Sequence, residues 1–156
     1  MNWGKLPVAT ESLRWSTPPL AIAALTAGGI VLAVAAATTA DAAGRTLVGL
    51  AAVVAFAVAA LAVRQRPRLE VLPDGAGLAV TRLSGRHELP RASLMRVRIV
   101  AYPRLGRRVP MLEIDVRDPR GDEQLLIFGR WDLGTDPRTV YDALAVRGLA
   151  PDQTPS

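Results

Sequence analysis

The sequence has 156 residues, half of them hydrophobic but only 4% aromatic, with 19 basic and 14 acidic side chains and a formal net charge of +5. It contains no cysteine, which excludes disulfides and thiolate-bound metal sites. The apolar residues are concentrated in the first third of the chain. This uneven distribution argues against reading the whole chain as one soluble domain, although its length alone would suggest one.

Two uncharged apolar runs follow a short N-terminal segment. They comprise residues 20–40 (21 residues) and 46–63 (18 residues). As helices they would measure about 31 and 27 Å, close to the ~30 Å hydrocarbon core of a bilayer. Neither run has a polar face, which argues against two buried helices of a soluble bundle. Only residues 41–45 separate the runs, so the pattern predicts a transmembrane helical hairpin.

The cations that flank the two runs predict the orientation of this hairpin. Lys5 and Arg14 precede the first run, and Arg64, Arg66 and Arg68 follow the second. By the positive-inside rule both ends face the cytoplasm, as expected for a multi-pass protein of the plasma membrane. The alternative is that the first run is a cleaved signal peptide, although it is long for one. The rest of the chain is expected in the cytoplasm in either case.

After the second run the apolar pattern changes to period two, which predicts antiparallel strands joined by turns. The expected strands are residues 68–73, 77–84, 86–90, 95–102, 109–118 and 124–131. Turn-forming residues separate them, as in PDGAG at 73–77 and DPRGD at 118–122. This part of the chain is therefore predicted to form six antiparallel strands.

A helix is predicted near the C-terminus, where the period changes again. Asp136, followed by proline, suits the N-cap, and Gly148 suits a Schellman ending. Val140 and Leu144 share one face of this helix. A small twisted sheet leaves an open end or face, and we expect the helix to cover it.

The segment AYPRLGRRVPMLEIDV, residues 101–116, joins two of the predicted strands in one consistent register. With a tip at residues 103–108, Arg98 lies opposite Glu113, and Arg96 lies opposite Asp115. The residues expected to face the core are Met95, Val97 and Ile99 on one strand and Val116, Ile114 and Leu112 on the other.

The arginines of the tip are the first candidates for a binding site. Arg104, Arg107 and Arg108 have no carboxylate within the predicted hairpin. They could contact anionic headgroups or an acidic protein partner, or they could form a solvated turn. The other candidates, which could instead only set the topology, are the juxtamembrane arginines Arg64, Arg66 and Arg68.

No group of residues suggests an active site. The single histidine, His87, has no cysteine to assist it, and the serines lack the context of a nucleophile elbow. Asp118, Asp122 and Glu123 share one turn and could hold a divalent cation weakly, but we interpret them as a solvated acidic turn. We therefore predict that the chain is not an enzyme, with no catalytic residue, cofactor, metal site or nucleic-acid partner.

Three segments, RPRLEVLPDGAGLAV at 66–80, VPMLEIDVRD at 109–118 and FGRWDLGTDP at 128–137, resemble bacterial PH-like domains. More closely, the chain resembles the actinobacterial low-molecular-weight protein antigen family, in which two N-terminal membrane helices precede such a domain. The resemblance covers nearly the whole chain. It implies a partly open, strongly bent sheet or split barrel that the final helix caps. It implies neither an enzyme nor a phosphoinositide ligand.

The predicted fold is thus an N-terminal transmembrane helical hairpin followed by a small antiparallel β domain, PH-like, with a C-terminal helical cap. The expected segments are a cytoplasmic tail (1–17), the hairpin (18–63), the PH-like domain (64–149) and a flexible tail (150–156). The expected function is a membrane-anchored binding or scaffold module at the cytoplasmic face that recruits a protein or senses anionic lipid. The alternative is an accessory subunit of a larger membrane complex, with contacts made mainly by the hairpin.

Overall fold

The computed structural model describes residues 12–150. Its elements in chain order are strand β1 (Arg14–Trp15), helices α1 (Pro19–Thr38) and α2 (Ala42–Arg64), strands β2 (Leu69–Val71), β3 (Gly77–Arg82), β4 (Gly85–Pro90), β5 (Leu94–Arg104), β6 (Arg107–Arg117) and β7 (Glu123–Phe128), and helices α3 (Arg130–Leu133) and α4 (Pro137–Val146). Short 3-10 turns follow β2 at Pro73–Gly75 and β4 at Arg91–Ser93.

Helices α1 and α2 form an antiparallel pair. They have 20 and 23 residues and are long and apolar enough to cross a membrane. The Asp41 carboxylate caps α2 by accepting a hydrogen bond of 2.6 Å from the amide of Gly44. Small residues are buried between the helices, and the ring of Phe56 lies against Gly29. The buried small residues of the pair are Gly29, Ala36, Ala52, Ala59 and Ala62. This close packing turns the larger apolar side chains outward.

The seven strands form two antiparallel sheets. One sheet has the order β1-β2-β3-β4, and the other has the order β5-β6-β7. The inner faces of the sheets pack on each other without closing into a barrel, and together with the C-terminal helices they form one apolar core. The fully buried large side chains include Leu69, Leu78, Leu112, Ile114, Leu133, Leu144 and Leu149.

Helix α4 covers this core as predicted. The Asp136 carboxylate accepts a hydrogen bond of 2.9 Å from the amide of Arg138 and so caps the first turn. Gly148 has a φ of 65°, and the Leu149 amide donates to the Leu144 carbonyl at 2.9 Å, which completes the expected Schellman ending. Val140 and Leu144 are fully buried. The predicted inner face of this helix is therefore confirmed.

The predicted register of the β5–β6 hairpin is confirmed over most of its length. Arg98 pairs with Glu113 and Arg96 with Asp115. The prediction that Met95 faces the core is wrong, because a bulge shifts the register between Leu94 and Arg96. Leu94 is buried instead, and Met95 is 40% exposed. A bulge adds one residue to the strand and reverses the faces of the side chains that precede it.

The hairpin tip is shorter than the predicted tip at residues 103–108. Arg104 and Arg107 already pair, so only Leu105 and Gly106 form the turn. Their φ angles of 46° and 77° are both positive, as a type I′ turn requires. Pro103 is tolerated within β5 because β5 is an edge strand.

Two elements were not expected from the sequence. The last predicted strand, 124–131, ends at Phe128, and helix α3 follows. Its start is fixed by Asp132, whose carboxylate accepts a hydrogen bond of 3.0 Å from the amide of Gly129. The second unexpected element is β1, which lies within the segment that the sequence analysis treated as a tail.

Strand β1 precedes α1 but pairs with β2, which follows α2. Arg14 lies opposite Glu70 and Trp15 opposite Leu69, and the Val71 amide donates to the Leu13 carbonyl at 2.9 Å. The helix pair is therefore inserted into the first connection of the β domain. A strand of two residues is too short to show alternation, so no pattern in the sequence predicts it.

Candidate functional site

The helix pair joins the β domain through two short connectors, residues 16–18 and 65–68. We call the end of the domain that carries them the base. At the base, Glu70 is buried and links β1 to β4: its carboxylate accepts from the Arg14 Nε at 2.7 Å and from the Arg86 guanidinium. Charge-assisted hydrogen bonds of this kind are about twice as strong as neutral ones. They fix β1 in the sheet and thereby fix the start of α1.

Helix α3 contacts both connectors. Asp132 lies 3.5 Å from the Nε of Arg68 in the second connector. Gly134, which follows α3, lies so close to the first connector that a Cβ there would collide with the carbonyl oxygen of Ser16. Trp131 of this helix is 47% exposed. An aromatic side chain and two connectors to the apolar helices therefore share the base.

The three juxtamembrane candidates have different environments. Arg64 and Arg66 are exposed, and their side chains make no ion pair or hydrogen bond with residues 12–150. Arg68 is turned into the domain, where it donates to the Thr81 carbonyl at 3.0 Å and to the Gln65 side chain. Arg68 thus ties the second connector to β3.

The three tip arginines, Arg104, Arg107 and Arg108, are all exposed. Arg104 and Arg107 lie directly opposite each other. Like charges in that position destabilise a hairpin, and within the described part of the chain none of the three has a carboxylate partner. The tip therefore carries a concentrated positive charge that the domain itself does not neutralise.

The tip extends from the same end of its sheet as α3. Leu112 of β6 pairs with Phe128, the last residue of β7, and α3 begins two residues later. From Leu112 back to Arg107 the hairpin continues for five residues, or about 17 Å, past that point. The side chain of Met111 lies against Gly129. The tip arginines thus extend beyond the end of β7 from which α3 leads to the base.

A buried carboxylate stiffens the hairpin below its tip. Glu113 is buried and accepts from the Arg98 Nε at 2.6 Å and from the Tyr102 hydroxyl. Burial alone would raise the pKa of Glu113, but the hydrogen bonds from Tyr102 and Arg98 and the charge of Arg98 together lower it. The hydrogen bond to Glu113 is the main cause of a raised pKa of Tyr102. The pairing of Arg98 with Glu113 was predicted from the sequence, but the hydrogen bond from Tyr102, which reaches the carboxylate diagonally, was not.

Two of the clefts in the described part of the chain open between the sheets. The larger, about 720 Å³, lies along β4 and the turn after β6, and basic and acidic side chains mix on its walls. His87 lies there, with its Nε2 hydrogen-bonded to the Ser84 hydroxyl at 2.7 Å. In the acidic turn after β6, the Asp118 carboxylate accepts hydrogen bonds from the backbone amides of Arg120 and Asp122 and so stabilises the turn itself. Over residues 12–150, no group of three metal-ligating side chains forms a site.

The smaller cleft, about 440 Å³, lies at the base between β3, β7 and the residue that follows α2. Gln65, Arg68 and Arg82 line it together with Leu83 and Ile127. This cleft was not predicted from the sequence. Its walls come from three segments that are far apart in the sequence, so no local pattern indicates it.

Antiparallel sheets of four and three strands with a C-terminal helix define a PH-like domain. The family model described as Bacterial PH domain matches residues 66–150, and the chain belongs to this family. Two uncharacterised proteins, from two strains of Mycobacterium tuberculosis, are each 40% identical to it over 141 residues, which are 90% of this chain and 96% of the relative. No solved structure matches the chain at a significant level. The family match begins after α2 and so leaves β1 outside.

Proposed function

We propose that this protein spans the plasma membrane twice and holds its PH-like domain against the cytoplasmic leaflet, where the basic tip contacts anionic lipid. The observation that carries the proposal is the uncompensated charge of the tip arginines, on a hairpin that extends beyond the end of β7 from which α3 leads to the base. The protein acts in this view as a non-catalytic binding module at the membrane surface.

The pairing of β1 with β2 supports two spans. These strands lie on either side of the helix pair, and they hydrogen-bond to each other. Both ends of the pair must therefore be on one side of the membrane, which requires an even number of crossings. The same pairing argues against a cleaved signal peptide, because cleavage after α1 would remove β1 from the sheet.

The charges of the base supply the attraction to lipid. A cation close to an anionic leaflet contributes about 1 kcal/mol, and the effect decays within a Debye length. Arg64 ends α2 and Arg66 follows it, so both lie at the expected membrane surface. The hairpin tip adds three more cations. Trp131 is half exposed at the base, as is typical of side chains in the interfacial aromatic belt.

Reporter fusions test the orientation. A reporter that fluoresces only in the cytoplasm, fused after Ser156, should be bright, and a reporter active only outside the membrane should stay silent in the same position. Activity of the outside reporter would overturn the cytoplasmic placement of the domain. A fusion in the loop after α1, at Ala40, should give the opposite pattern.

A single label at the tip tests the lipid contact. The chain has no cysteine, so Leu105→Cys gives one labelling site, at a fully exposed position of the turn. In vesicles that contain phosphatidylglycerol, a fluorophore at this site should be quenched by headgroup-quencher lipids at low salt. The quenching should weaken in phosphatidylcholine alone and near 1 M salt, where the Debye length is about 3 Å.

A charge-matched pair of variants assigns this contact to the tip. The tip variant changes Arg104, Arg107 and Arg108 to Gln, and the control changes Arg96, Arg117 and Arg120 to Gln. Quenching should be lost only in the tip variant. A label that stays unquenched in anionic vesicles would remove lipid as the partner of the tip and leave an acidic protein surface.

The alternative, an accessory subunit, makes a different prediction. The large apolar side chains of α1 and α2 face outward, as the 69% exposure of Leu47 illustrates, and could contact other membrane helices. Purification from native membranes in mild detergent would then yield a stoichiometric partner that the helix pair alone retains. Absence of such a partner favours the surface-binding module.

A further inference from the structure

The smaller cleft at the base combines positive charge with exposed apolar side chains. Arg68 and Arg82 line it, and none of the described residues on its walls carries a carboxylate. The larger cleft differs in this respect, because Glu88 and Asp118 are part of its wall. Asp132 lies 3.5 Å from Arg68 and compensates part of its charge, so Arg82, which lines both clefts, is the cation most available to an anion.

Arg82 makes no ion pair with the described residues and retains the capacity to bind an anion. Arg82 uses one guanidinium nitrogen on the Gln124 side chain, at 3.2 Å, and a guanidinium has five N–H donors. Arg68 is less available, because its buried Nε lies 3.5 Å from the Asp132 carboxylate and its Nη1 already donates to Thr81 and Gln65. Arginine binds phosphate well because its planar fork matches the phosphate oxygens.

The apolar part of the cleft lies next to the end of α2, where the surface of a bilayer would be. Gln65, the residue directly after α2, lines the cleft. Leu83 is 59% exposed and Ile127 is 41% exposed on the same walls. Exposed apolar side chains beside a positive pocket, at the end of a long apolar helix, suit a molecule with a charged head and an apolar tail.

We infer that this cleft binds one anionic phospholipid, with its phosphate against Arg82 and the start of its acyl chain along Leu83 and Ile127. The inference rests on the proposed function, because the cleft meets lipid only when the helix pair spans the bilayer. It differs from the tip contact in being a defined site for a single molecule.

Native mass spectrometry of the full chain in detergent tests the site. Phosphatidylglycerol and phosphatidylcholine of equal chain length are added separately, and the fraction of protein that retains one lipid is measured. We expect one retained phosphatidylglycerol and much less phosphatidylcholine. Arg82→Gln should weaken retention about tenfold, the loss typical of removing a hydrogen-bonded charged partner.

Two further variants keep the test specific. Leu83→Gln removes apolar surface without touching a charge and should also weaken retention. Arg120→Gln, an exposed position on the far turn, should leave retention unchanged. Equal retention of both lipids, or equal loss in Arg82→Gln and Arg120→Gln, would overturn the inference.

The tip variant separates this inference from the proposed function. The substitutions at Arg104, Arg107 and Arg108 should leave the single retained lipid in place. Loss of that lipid in the tip variant, with full retention in Arg82→Gln, would move the lipid site to the tip and refute the cleft. Release of the protein from membranes by alkaline carbonate would refute the two spans themselves.

Discussion

Replacement of Leu144 by alanine should unfold the domain at a much lower temperature. Leu144 is fully buried in the core between α4 and the sheets. Leu-to-Ala changes at such sites cost about 2–5 kcal/mol, and the cost rises when the neighbours cannot collapse into the cavity. Val140 and Leu149 flank the site and are themselves fully buried, so we expect about 3 kcal/mol or more.

This free energy corresponds to a large shift of the melting temperature. A domain of about 90 residues has an unfolding entropy of about 0.19 kcal/mol/K, so each kcal/mol lowers Tm by about 5 °C. The expected shift for Leu144→Ala is therefore about 15 °C. A loss of about 3 kcal/mol is a large part of the unfolding free energy of a typical domain, which is about 5–15 kcal/mol.

Near-ultraviolet circular dichroism of the full chain in detergent measures the domain selectively. In the part of the chain that the structure describes, tryptophan and tyrosine occur only outside α1 and α2. Val146→Ala is the matched control, because Val146 belongs to the same helix and is 89% exposed. The control should change stability by no more than about 0.5 kcal/mol. Equal melting of the two variants would mean that α4 does not pack on the core.

Three further outcomes follow from individual contacts. The stability contributed by Glu113 is present above its ordinary pKa of 4.5 and is lost as the pH falls through its lower folded-state pKa. Below pH 4.5 the denaturant midpoint of the parent should therefore fall more steeply than that of Glu113→Gln. Asp136→Ala removes the cap of α4 and should lower the unfolding free energy by about 1 kcal/mol in the same melts. Gly134→Ala should destabilise the domain more than Gly121→Ala. Both glycines have positive φ, but only at Gly134 does a backbone atom, the Ser16 carbonyl oxygen, occupy the space of the new Cβ. Equal losses of stability would show that this contact does not form.

Local signals predicted the parts of the fold that depend on neighbouring residues. The cap at Asp136 and the ending at Gly148 lie within the helix that they delimit, so their side-chain chemistry was sufficient to place α4. The register of β5 and β6 followed from alternating charge on one face, as in the pair of Arg98 and Glu113. The bulge at Met95 was missed because period two cannot register one extra residue.

Features formed by distant segments could not be predicted in this way. Arg14 and Glu70 are 56 residues apart in the chain, and nothing in the two-residue strand β1 marks its partner. The same reason applies to the base cleft and to Arg68, which the sequence placed among the exposed candidates and the structure places against Thr81. The lack of carboxylates near the tip arginines was visible in the sequence, but the extension of the tip past the start of α3 depended on the pairing of Leu112 with Phe128.

The location of β1 ahead of the helix pair also constrains the order of biogenesis. The ribosome releases β1 first, but its partner β2 emerges only after both helices, so the first sheet stays incomplete until insertion has ended. For a spanning pair, failure of one helix to insert would leave β1 and β2 on opposite sides of the bilayer. Such a chain would expose the apolar edge of β2 and the Glu70 carboxylate, which is buried in the complete sheet. Completion of the first sheet therefore requires that both helices of a spanning pair insert.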